Sequence, residues 1–207
     1  MKKIFPKIDV VTRQAENIGQ SVIKSRHWKF SKPQNTNRPP PPPPGNFKLH
    51  NKNCVTCLRI DDEKTKFTSS RTGRAYKITR HYTCESSHVI YLARCCLCNV
   101  DYVGQTTQTM RKRHLGHRAE VRAGVVGLGE HFLSKHGVEK NLKDDKIFEN
   151  IMKHFSLTII ASVEPGQPWT LRRLDQLEGD FQKRLMPMDY NGGMNRRDET
   201  VRRRRGS

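Results

Sequence analysis

The sequence is poor in acidic side chains: 20 aspartates and glutamates stand against 39 lysines and arginines, for a formal net charge of +19. It is also poor in aromatic residues, at 7%, and in hydrophobic residues, at 34%. So little apolar surface cannot pack the whole length, and a core is expected in only part of the 207 residues. No apolar run approaches the roughly 18 residues that a membrane-crossing helix needs. The start, MKKIFPKIDVV, is basic but has neither a long apolar stretch nor a small-residue cleavage site, so it does not read as a signal peptide. No segment pairs its charge with a broad apolar helical face, which argues against a membrane-surface role. The basic excess then points to a polyanionic partner, nucleic acid before any other.

The charge is uneven. Residues 1–50 carry ten basic and two acidic side chains, and residues 196–207 carry six and two. Six consecutive prolines at 39–44, closed by Gly45, read as a stiff polyproline II spacer and mark a boundary. The chain therefore divides into a basic N-terminal segment with its proline linker (1–45), a cysteine-containing lead-in (46–87), a folded domain (88–196) and a basic tail (197–207) too charged to fold. A weak helical pattern lies at 11–23. In the lead-in, Thr72-Gly73 between FTSSR and RAYKI predicts a small hairpin.

From residue 88 the pattern tightens. VIYLA reads as a buried strand and DYVGQ as its antiparallel partner, followed by a helix over about 107–123. Gly124, Gly127 and Gly129 break the chain before a short helix, EHFLSKH, that Gly137 stops. Residues 138–153 are polar and charged, without a predicted element. FSLTIIASVE is the third strand, and TLRRLDQLEGDFQKRL the last helix, its apolar stripe running through Leu174, Leu177, Phe181 and Leu185. The expected fold class is α/β (α+β): a small three-stranded antiparallel sheet flanked by helices.

Two features of residues 88–117 carry chemistry. Tyr91 and Tyr102 sit on the paired strands, and Arg113 and His117 follow at i, i+4 on one helix face. An arginine there can hold a phosphate with a planar fork of donors. A phenol with a pKa near 10 is a weak base unless a cation lowers it. Second, Cys95 and Cys98 have C-x₂-C spacing in the turn between the strands. His131 and His136 are the favoured partners for a structural Zn²⁺, with His136 expected past the end of its helix because i and i+5 share no face. Cys96 could replace Cys95. Cys54 and Cys57 could complete a four-cysteine site, or bind a second ion with Cys84 and His81 or His88. No role falls to His27, His50, His114 or His154.

The series HVIYL, YVG, TMRKRHLGH, LEGDF and YNGGMN resembles the GIY-YIG endonuclease family, and more narrowly the endonuclease domain of Penelope-like retroelements. The lead-in CVTC…FTSSRTGRAYKI…TCESS and the cysteines between the two tyrosine motifs resemble that subgroup as well. The resemblance covers about residues 46–196. RQAENIGQSVIKS, at 13–25, weakly resembles the segment joining such a nuclease to an upstream reverse transcriptase. It implies a three-stranded antiparallel sheet with helices around it and hydrolysis of a DNA phosphodiester with one divalent metal ion, Mg²⁺ or Mn²⁺. Tyr91 stands at the tyrosine of the first motif, where Val89 replaces the family glycine, and Tyr102 and Gly104 stand in the second. Arg113 matches the family arginine, with Arg111 the fallback, and His117 the histidine. Glu178 matches the metal-binding glutamate, and Asn195 the closing asparagine. The carboxylate of Glu178 lies at the edge of the helical stripe and offers the hard oxygen that Mg²⁺ prefers.

The leading expectation is therefore a nuclear, DNA-nicking endonuclease of retroelement origin, whose nick would prime reverse transcription, with element RNA or a reverse transcriptase module as further partners. The alternatives are a catalytically inactive, zinc-stabilised nucleic-acid-binding module and a basic RNA-binding protein of ribosomal type.

Overall fold

A computed structural model describes residues 40–50, 54–125, 127–185 and 193–195. The helical pattern at 11–23 and the arginine run at 202–205 lie outside them. A compact unit begins at Pro42. The chain is mixed α/β with small sheets and several helices. None of the described helices is long and apolar enough to cross a membrane.

Four short strands come first: β1 (Gly45–Asn46), β2 (Lys66–Thr68), β3 (Ala75–Lys77) and β4 (His81–Tyr82). β1 pairs parallel with β4, and β2 with β3 as a hairpin whose turn uses Gly73 at φ 70°. The main sheet is built from β5 (Val89–Cys95), β6 (Val100–Thr106) and β7 (Phe155–Ser162), in the order β6-β5-β7 and antiparallel throughout. β5 is VIYLARC, buried at six of its seven positions, as the middle strand of a covered sheet should be. Between β5 and β6, Asn99 takes the left-handed conformation, which asparagine tolerates well.

Both outer strands of this sheet have their edges covered. Asn195 accepts from Val103 N at 2.8 Å and donates to Val103 O at 2.7 Å, imitating a strand residue beside β6. Asn46 does the same for β7 through Ile159, at 2.8 and 2.9 Å, and residues 59 and 61 add backbone bonds to Leu157. Open strand edges invite unwanted pairing, and two buried asparagine side chains close these.

Helix α1 (Met110–Ala123) starts at Thr109, whose hydroxyl accepts from Lys112 N, and ends on Gly124 at φ 66°. Helix α2 (Leu128–His136) packs against α1. It begins earlier than the sequence pattern suggests and contains Gly129. A Cβ there would collide with the Glu120 carbonyl, so this glycine sets how closely the two helices approach. His136 is the last helical residue, not one beyond it.

Helix α3 (Asp145–Met152) has no counterpart in the sequence reading. It buries only Phe148 and Met152, one turn apart, and Asp144 caps it with bonds from Lys146 N and Ile147 N. Arg118 and Arg122 of α1 lie over the Phe148 ring, 4.8 and 4.1 Å from its centroid. A polar sequence thus becomes a helix through a cap and two anchors. Helix α4 (Thr170–Leu185) packs against β6 and β5. The β2–β3 hairpin closes on its C-terminal half through Phe67 and Phe181, and through the Ser69 hydroxyl donating to Leu185 O.

Candidate active site and metal centres

The β5–β6 register decides where the phenols go. Tyr91 lies opposite Gly104, and Ala93 opposite Tyr102. Tyr91 and Tyr102 are therefore diagonal neighbours on one face, their ring centroids 6.3 Å apart. Gly104 leaves the space they fill: a Cβ there would sit 2.5 Å from the Tyr91 hydroxyl and 2.7 Å from Tyr102 Cε1.

Helix α1 delivers the remaining groups to that face. The Tyr91 hydroxyl is 2.7 Å from His117 Nε2 and accepts from Arg113 Nε at 2.9 Å. His117 Nδ1 is 2.8 Å from Glu120 Oε2, and Arg113 Nη1 donates to Glu120 Oε1 at 3.2 Å. Arginine, histidine and glutamate at 113, 117 and 120 share one side of the helix by its 3.6-residue period. Arg111 is half-exposed and pairs with Glu85 at 3.6 Å, so Arg113 is the arginine of this group.

Protonation follows from burial and partners. Burial tends to raise the Glu120 carboxyl, but the bonds from His117 and Arg113 outweigh it and hold it below its ordinary range. Glu120 is thus an acceptor only, and His117 Nδ1 must carry the proton it donates. Burial, helped by Arg113 and opposed by Glu120, keeps the His117 ring below the usual histidine range. Its Nε2 then has a lone pair for the Tyr91 O–H. Burial pushes Tyr91 up to about 12; Arg113 opposes this, while Glu120 and Glu178 add to it. Arg113 loses solvation, but Tyr91 and Glu120 more than compensate and hold its proton more firmly.

Tyr91, Tyr102, Arg113 and His117 are thus brought together. Glu178 is half-buried on α4, near enough for its charge to bear on the Tyr91 phenol. Asn195 stands apart as the β6 edge clamp, 1% exposed. Glu120 escaped the sequence reading, although its i, i+3 relation to His117 was available as a signal. Exposure grades across the group: Tyr91 is 0% exposed and His117 1%, Tyr102 8%, and the Arg113 side chain 29%.

Among the described residues, two sets of cysteines and histidines could each hold a metal ion, with ligand atoms within 4.8 Å of one another. The first is Cys95, Cys98, His131 and His136: Cys95 Sγ lies 3.3 Å from His136 Nε2, and Cys98 Sγ 3.3 Å from His131 Nε2. Cys95 is the last residue of β5 rather than a turn residue, so the set joins the end of β5 and the turn after it to α2. Two thiols and two imidazoles are a donor set compatible with zinc. Cys96 is exposed and outside it.

The second set is His50, Cys54, Cys57 and Cys84. His50, given no role by its sequence context, is the fourth member of this set. His81 Nδ1 instead lies 3.1 Å from Pro43 O, and His88 Nδ1 3.1 Å from Ser87 Oγ. His114, also given no role by its sequence context, is 0% exposed, stacked on Phe155 and 3.0 Å from Thr56 Oγ1 through Nδ1.

Comparison of the chain with protein-family models, curated proteins and solved structures returns no match in any of the three. A functional reading therefore rests on the residues and their geometry.

Proposed function

We propose that this chain is a GIY-YIG-type DNA endonuclease, closest in pattern to the endonuclease domain of Penelope-like retroelements, that hydrolyses a phosphodiester with a divalent metal ion. The observation that carries the reading is the hydrogen-bonded group of Tyr91, Arg113, His117 and Glu120 beside Tyr102. A charged guanidinium, a neutral imidazole and two phenols meet where a phosphate could be held and a water proton accepted.

The roles divide by exposure. Tyr91 is enclosed, so it orients its neighbours: its hydroxyl fixes the Arg113 fork and hands its proton toward His117 Nε2. Glu120 holds the His117 tautomer and steadies Arg113. Tyr102 and Arg113 reach closer to solvent; Arg113 offers its free N–H groups to the phosphate oxygens, and the Tyr102 oxygen orients the attacking water. Glu178 would hold Mg²⁺ or Mn²⁺, its carboxylate providing a hard ligand in a half-buried position. Such an ion supplies positive charge for the scissile phosphate and leaving oxygen. Zn²⁺ in the Cys95, Cys98, His131 and His136 set would be structural, pinning α2 to the hairpin tip. The net charge of +19 suits backbone binding to DNA, with strongly salt-dependent affinity. A nick in nuclear target DNA would prime reverse transcription, with element RNA or a reverse transcriptase module as partners.

The enclosure of Tyr91 and His117 favours one competing reading: a catalytically inactive, zinc-stabilised nucleic-acid-binding module in which this network is only structural. Nicking of supercoiled plasmid with and without Mg²⁺ decides between them. The nuclease reading expects Mg²⁺-dependent nicking that Glu178→Ala lowers by about 10³-fold with DNA binding retained. A wild-type protein that binds DNA but leaves the plasmid intact establishes the competing reading.

A further inference from the structure

We propose that His50, Cys54, Cys57 and Cys84 bind a second zinc ion, and that this ion anchors the first turn of α1, the helix that carries Arg113 and His117. The donor geometry comes first. His50 Nδ1 is 3.2 Å from Cys84 Sγ and 3.9 Å from Cys57 Sγ, and all four ligand atoms converge. The three thiols are free and buried, at 4%, 1% and 0% exposure. Three sulfurs and one imidazole nitrogen are a donor set of the structural zinc kind, and thiolate softness disfavours Mg²⁺ and Ca²⁺. Cys54 and Cys57 form a knuckle, closed by Leu58 N donating to Cys54 O at 3.2 Å. The other two ligands come from flanking segments, so an ion would join three stretches of a lead-in whose strands are only two or three residues long. On binding, each thiol yields its proton and each sulfur donates a lone pair; no redox partner is needed.

The same segments hold α1 at two points. The first N–H groups of a helix have no partner within it. Here Met110 N donates to Ser86 O at 2.9 Å and Arg111 N to Cys84 O at 2.8 Å, so a ligand residue is itself a cap. Thr56, between Cys54 and Cys57, bonds His114 on α1 through its hydroxyl at 3.0 Å. The ion thus fixes the turn and the knuckle, and these fix the helix that presents Arg113 and His117. Its effect on cleavage rests on the nuclease reading above; its existence does not.

The test uses the full chain. Elemental analysis of the purified protein is expected to find two zinc ions per chain, and one in each of Cys57→Ser, Cys84→Ser and Cys98→Ser. Cobalt(II) in Cys98→Ser is expected to report three thiolates, and in Cys84→Ser only the two of the hairpin-tip site, from the relative intensity of thiolate charge-transfer absorption. Amide exchange at Met110 and Arg111 is expected to quicken by about tenfold or more in Cys84→Ser, with β5 amides little changed. The wild type alone settles the case if the serine variants fail to fold. One zinc per folded chain, or a disulfide among Cys54, Cys57 and Cys84, overturns the proposal. Two zinc ions and the expected exchange without any plasmid nicking leave this site standing and remove the nuclease reading instead.

Discussion

The two Cys/His sets use nearly the same chemistry in different mechanical settings. The hairpin-tip set takes Cys95 from the end of β5, Cys98 from the β5–β6 turn and His131 and His136 from α2, so it rests on regular elements with hydrogen bonds of their own. The lead-in set draws on loops and turns, and its Cys84 carbonyl is bonded to the backbone two residues before Arg113. A metal matters most where the local chain has least else to order it. The lead-in set is therefore the more consequential of the two for the phenol pocket, although the hairpin-tip set has the plainer sequence signature.

The largest expected contrast is between Cys57→Ser and Cys98→Ser. The first is expected to lower plasmid nicking by about 10²-fold and the second by about tenfold, a ratio matching the precision that catalytic positioning demands. Equal losses would break the comparison. Gly104→Ala touches neither set and isolates the pocket: forcing a methyl against both phenols is expected to cost about 1–3 kcal/mol in denaturant unfolding, with zinc content unchanged. Wild-type stability in that assay would show that the Tyr91 and Tyr102 rings can move aside for a methyl group.

A smaller effect concerns acid. Burial holds His114 down at about 3, and His117 is also depressed by burial. Each has a folded value below the unfolded value of about 6.5, so the unfolded chain binds more protons between the two. Their contribution is complete above about pH 6.5 and is lost as pH falls, at up to about 1.4 kcal/mol per pH unit for each histidine. Denaturant unfolding at pH 7, 6 and 5 is expected to show this slope, and His114→Gln to reduce it by one histidine's share. An unchanged slope would mean that His114 is solvated. Smallest is Thr56→Val, which removes one neutral hydrogen bond between the lead-in knuckle and α1, expected to cost about 1 kcal/mol with both zinc ions retained.

Regular elements were legible wherever periodicity and punctuation agreed. Helix α4 follows its Leu174–Leu185 stripe, and α1 is bounded by Thr109 and Gly124. Helix α3 was hidden because two anchors in eight residues make no visible stripe. Gly129 looked like a breaker because its reason for being there, the nearness of Glu120, belongs to another helix.

The sequence by itself determined the periodicities, the basic excess, the tyrosine, arginine and histidine positions, and the C-x₂-C and H-x₄-H spacings, since each is a property of neighbours along the chain. Only the tertiary structure decided that Tyr91 faces Gly104, that Glu120 orients His117, and that His50 rather than His81 or His88 meets the lead-in cysteines. Those are relations between segments distant in sequence. They are set by strand register, helix approach and loop closure, which no local spacing encodes.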